Sequence, residues 1–145
     1  MSRPWTLALL VVSLAFTGVM ACVHVLSFHA PALDEPEMTI VILVLFVALI
    51  LLWIPAVSVV VERAKAARLD GGLQDFTGLL FRGTPALVRR IVMLVLAYAF
   101  LVSVLESGVF SLNLNSAICI SAVFLAFSSL SSGVLWGAAR PTGAV

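Results

Sequence analysis

The run "MTIVILVLFVALILLWIPAVSVVV", residues 38–61, contains no charged side chain. The hydrocarbon of a bilayer is about 30 Å thick, and a helix needs roughly 20 mainly apolar residues to cross it. Three further windows are long and apolar enough, the second of them interrupted by the single carboxylate Glu106: "WTLALLVVSLAFTGVMACVHVLSF" (5–28), "IVMLVLAYAFLVSVLESGVF" (91–110) and "SAICISAVFLAFSSLSSGVLWGA" (116–138). No water in lipid can satisfy stray backbone groups, so such segments cross as helices. The expected fold is all-α: a polytopic membrane protein, a bundle of four transmembrane helices over about 5–28, 38–61, 88–110 and 116–138. Residues 1–145 form a single transmembrane domain, with a cytoplasmic loop over 62–87.

Composition agrees. The chain is 63% hydrophobic and 10% charged, with a mean hydropathy of +1.23, where soluble domains are about half apolar and about a quarter charged. A net charge of +1 gives no electrostatic case for a nucleic-acid partner. The partners this surface implies are the lipid bilayer, other membrane protein subunits or further copies of the chain.

Basic residues define the orientation. Arg3 and Arg140 lie near the two ends, and the other six lie within 62–90: Arg63, Lys65, Arg68, Arg82, Arg89 and Arg90. The segments "HAPALDEPE" and "SLNLN" carry none. The positive-inside rule then places both termini and the middle loop in the cytoplasm. Within that loop "ERAKAARLD" continues the second helix up to Gly71 and Gly72. "LQDFTGLLFR" places Leu73, Phe76 and Leu80 on one side, as in a short helix lying on the membrane surface, or else forms a hydrophobic loop packed under the bundle. Thr84 is expected to cap the third transmembrane helix, with Pro85 at its first position. Arg89 and Arg90 then reach the headgroups. "VMAC", residues 19–22, has the look of a lipoprotein processing box, but Met20 fits it poorly and "VHVLSF" prolongs the apolar run, so a helix is expected there.

Helices in lipid associate through small residues and buried polar side chains. Ala122, Ala126, Ser129, Gly133 and Gly137 recur at helical spacing on the last helix and form its expected packing face. Val123, Phe124, Phe127, Leu130 and Val134 are expected to meet lipid. Ser13, Thr17, Ala21 and His24 form a comparable stripe on the first helix, with Gly18 and Cys22 alongside, and Ala99, Ser103 and Glu106 form one on the third. The outer ends of the first and third helices bring His24 and Glu106 to similar depth. A carboxylate in a membrane segment is costly without a partner, which makes His24 and Glu106 a candidate intramembrane polar pair. Equally, Glu106 can reach outer water while His24 bonds a backbone carbonyl.

No serine triad, phosphate loop or paired-carboxylate motif is present. His24 and His29 are five apart and do not share a helical face, and Cys22 and Cys119 lack metal-site spacing. No catalytic residue, cofactor or metal is therefore expected, and free thiols are favoured over a disulfide. Pro55 is expected to kink the second helix.

The fragments "VHVLSF", "WIPAV", "LLFRGTPALVRR" and "LAYAF" together resemble a family of small bacterial polytopic membrane proteins of unassigned function. The resemblance covers the first three helices. At the fourth, the family pattern around "FSS" carries a histidine and aromatic residues, where this chain has Leu130, Ser131 and Ser132. It implies a bacterial inner-membrane setting. The expected function is non-enzymatic: an accessory or assembly component of a membrane complex. The alternative is a small proton- or cation-coupled transporter, dimeric, using Glu106 and His24.

Overall fold

The computed structural model describes residues 3–28, 36–69, 76–106 and 116–140, with side chains described for 4–28, 40–66, 76–105 and 118–140. The chain is an all-α bundle of five helices in these segments: α1 (Arg3–Ser27), α2 (Pro36–Leu69), α3 (Phe76–Leu80), α4 (Ala86–Glu106) and α5 (Ser116–Ala139). Four of them, all but α3, are long and apolar enough to cross a membrane. This is a multi-pass membrane protein. α2 stays helical through Pro55.

α5 is the axis of the bundle. It packs against α1, α4 and α2, and 67% of its most apolar window is buried, against 17–22% for the other three. Three clusters build the core along it. Leu10, Ala56, Val59, Val134, Leu135 and Ala139 join α1, α2 and α5 at the α3 end of the bundle. Met20, Leu49 and Phe124 join the same helices toward the other end. Ala99, Val102, Ile118, Ala122 and Ala126 join α4 to α5.

This arrangement corrects the lipid face expected for the last helix. Of the five bulky residues assigned to lipid, Phe127 is exposed, but Phe124 and Val134 are buried and Val123 and Leu130 are half-buried. The reason is occupancy on several sides: α4 takes the Ala122–Ala126 side while α1 and α2 take the Phe124 and Val134 side. Of the small residues, Ala122, Ala126, Ser129 and Gly133 are buried and Gly137 is half-buried.

α3 differs in register from the helix expected there. Leu79 and Phe81 are buried, Leu80 packs against the core and Phe76 is exposed; Leu73 lies outside the described residues. Arg63 on α2 holds this segment, with one guanidinium nitrogen donating to the Leu80 carbonyl at 2.8 Å and the Leu79 carbonyl at 3.3 Å. Those carbonyls stand at the C-terminus of a five-residue helix, where no further turn can satisfy them and a cation is favourable.

The turn from α3 to α4 closes through the Thr84 amide donating to Phe81 O, 2.9 Å. Gly83 sits third in it at a φ of 79°, a left-handed value that glycine adopts without steric cost. Thr84 does not serve α4 as expected. Its hydroxyl donates to the Gly133 carbonyl of α5 at 2.9 Å, while the first α4 bond runs from the Arg89 amide to Pro85 O. The hydroxyl thus ties the turn to the central helix.

Candidate functional site

The polar stripe of α1 meets serines of α5 at two levels. Midway along α1, the Ser13 and Ser132 hydroxyls are 2.8 Å apart, and Thr17 Oγ1 is 3.0 Å from Ser132 Oγ. Thr17 donates to the Ser13 carbonyl at 2.9 Å, so its oxygen is left to accept. Ser13 then donates to Ser132, and Ser132 to Thr17. Each of the three hydroxyl protons has an acceptor, as burial in an apolar medium requires. Toward α2, Ser131 donates to the Leu52 carbonyl at 3.1 Å. That carbonyl lies three residues before Pro55, in the turn where the missing proline amide weakens the helical ladder.

The second level is built on His24, one turn before the end of α1 and buried to 6% exposure. Its Nδ1 is 2.8 Å from Ser121 Oγ on α5, and its Nε2 is 2.8 Å from the Tyr98 hydroxyl on α4. Ser121 donates to Ile118 O and Ser27 donates to His24 O. With both serine protons committed, Nδ1 carries the ring proton and donates to Ser121, and Tyr98 donates to Nε2. This tautomer is assigned from the network, in which every proton finds an acceptor. The Phe28 and Tyr98 rings stand edge-on to the imidazole, with centroids at 5.2 and 5.5 Å. One side chain therefore links three helices, and its two ring nitrogens hold their partners in opposite directions.

The expected partner, Glu106, is the last residue of α4; its side chain lies outside the described residues. Tyr98 and Ser121 were not anticipated as partners. The signal available for Tyr98 was its hydroxyl: it is the chain's single tyrosine, set in an apolar run, and a tyrosine O–H held away from water usually finds an acceptor. Ser103 donates to the Ala99 carbonyl at 2.8 Å, and Cys119 lies 3.6 Å from Ser103 Oγ. Cys22 and Cys119 are free thiols, and Cys22 is exposed. Gly18, expected beside the α1 stripe, also lies exposed, with no neighbour within 4 Å of an added Cβ.

The arrangement has two chemical capacities. It locks α1, α4 and α5 together at fixed rotation, and it forms a short chain of exchangeable protons from Tyr98 through His24 to Ser121. No family model, curated protein or solved structure matches the chain.

Proposed function

We propose that this chain is a non-enzymatic accessory or assembly component of a membrane complex, seated in a bacterial cytoplasmic membrane with both termini and the 62–87 segment inside. The observation that carries this reading is a set of polar side chains inside the spans, His24, Ser13, Thr17, Ser131 and Ser132, that bond between helices. Such a bundle is a preassembled body that offers apolar surface outward. The small-residue face of α5 is covered by its own neighbours, so surface for other subunits comes from the outer helices. α2 offers the most. Leu43, Val44, Leu51 and Ile54 are each about three-fifths exposed, and Phe46, Trp53 and Phe127 line an apolar groove of about 460 Å³ beside them.

Purification in mild detergent tests this. A different membrane protein should co-purify in fixed stoichiometry, and a photo-crosslinking residue at Ile54 should capture that same protein. A homomeric particle with no second protein would overturn the proposal.

The transporter alternative is supported by the Tyr98–His24–Ser121 chain, whose protons are exchangeable, with Glu106 on the same helix as Tyr98. It requires proton or cation flux in liposomes holding the purified chain alone, abolished by His24→Ala and by Glu106→Gln. The orientation has its own check. Reporter fusions after residues 36 and 112 should read outside, and fusions at Gly72 and the C-terminus inside. A Gly72 fusion outside would reverse the threading, because the basic residues of 62–90 would then have crossed the membrane.

A further inference from the structure

We infer that the cleft between α3 and the start of α4 is a binding site for an anionic phospholipid. Thr77, Phe81, Arg89, Arg90, Met93 and Leu94 line it, around a volume of about 680 Å³. That lies within the range of about 300–1,000 Å³ typical of ligand pockets. Its polarity is graded along the membrane normal. Arg89 and Arg90 occupy the first turns of α4, and Met93 and Leu94 sit four residues further on, beneath them on the same faces and about 6 Å deeper. The candidate span begins at Ala86, so the guanidinium groups stand at headgroup level and the apolar floor at the level of the first acyl methylenes. A phospholipid has this same sequence of charge and hydrocarbon.

The electrostatics select the sign of the headgroup. Among the described residues no acidic side chain lines the cleft, and the first turn of α4 holds none. Among the described residues neither the Arg89 nor the Arg90 guanidinium has a hydrogen-bond or ion-pair partner. Two cations at the positive end of a helix dipole are unfavourable for the helix by themselves. A phosphodiester between them supplies the missing negative charge with paired, charge-assisted hydrogen bonds. A zwitterionic lipid brings its own cation to the same place and gains less. Soluble phosphate would leave the Phe81, Met93 and Leu94 floor unused, which is why the assignment is to a lipid.

The test is native mass spectrometry of the full chain in a mild non-ionic detergent, titrated with phosphatidylglycerol or with phosphatidylcholine of the same acyl composition. One phosphatidylglycerol should be retained roughly thirty-fold more tightly than phosphatidylcholine, the preference expected of two interfacial arginines. Arg89→Gln with Arg90→Gln should erase the preference. Lys65→Gln with Arg140→Gln removes the same net charge from other exposed positions and should keep it. Met93→Trp fills the floor without changing charge and should weaken retention, a readout that stands even where the arginine pair variant folds poorly. Equal retention of the two lipids, equal loss in the control pair, or displacement of phosphatidylglycerol by soluble glycerol phosphate would each overturn the assignment.

Discussion

One methyl group added at Gly137 should destabilise the bundle by about 3 kcal/mol, at the upper end of what overpacking costs. A Cβ built there collides with the Arg82 carbonyl oxygen, and it meets Thr84 Oγ1 at 2.6 Å and the Thr84 amide nitrogen at 3.1 Å. Two of these three neighbours are backbone, so no rotamer change relieves the clash. Across the contact, a Cβ on Gly83 would stand 2.8 Å from the Gly137 carbonyl oxygen. The two glycines let the α3–α4 turn lie directly on α5, and the Thr84–Gly133 hydrogen bond holds it there one turn away. Gly133→Ala should cost less, about 1 kcal/mol. Its added Cβ meets only side-chain atoms, of Phe81 and Val92, both at 3.2 Å, and these can give by a few tenths of an ångström. Gly18→Ala meets nothing within 4 Å and should be neutral or stabilising by up to about 1 kcal/mol, since alanine is the better helix former. Unfolding midpoints in mixed detergent micelles read the series. An order other than Gly137, Gly133, Gly18 would mean that the turn does not rest on α5.

The second large effect belongs to His24. Replacing it by alanine empties a buried site and leaves the Tyr98 and Ser121 hydroxyls without their shared partner, a loss of about 2–3 kcal/mol. Tyr98→Phe should cost less than half of that, because it removes one hydroxyl and keeps the ring packed edge-on to the imidazole. Hydrogen bonds between membrane helices average about 0.6 kcal/mol, with a maximum near 1.7. The double variant should therefore fall short of the summed losses by about 1 kcal/mol. Additive losses would mean that the 2.8 Å contact does not form. Glu106→Gln in the same cycle should add to His24→Ala without coupling. Both imidazole nitrogens already have partners, and Glu106 follows Tyr98 by eight residues, about 12 Å further along α4. Coupling between Glu106 and His24 would instead bring the carboxylate to the ring.

The site shows how far residue pattern reaches. Ser13, Thr17 and His24 were identifiable as one stripe because a fixed period of 3.6 residues places them on one face whatever surrounds the helix. Their partners were not identifiable in the same way. Ser121 falls outside the small-residue register of α5, and Tyr98 is one aromatic among many apolar neighbours. Which of several serines or aromatics meets His24 depends on helix rotation and stagger, and these are set by packing against the rest of the bundle.

The same division runs through the whole molecule. The number of crossings was determined by sequence, because in hydrocarbon a backbone can satisfy its polar groups only within a helix, and the length of an apolar run counts such helices directly. Which helix stands at the centre was decided by tertiary structure alone. In soluble proteins a one-sided apolar stripe marks the inner face, but in lipid the outer face is equally apolar and the stripe carries no such information. α5 became central because serine, alanine and glycine on several of its sides admit close neighbours, so that Ser131 reaches α2, Ser132 reaches α1, and Gly133 and Gly137 admit the turn that precedes α4.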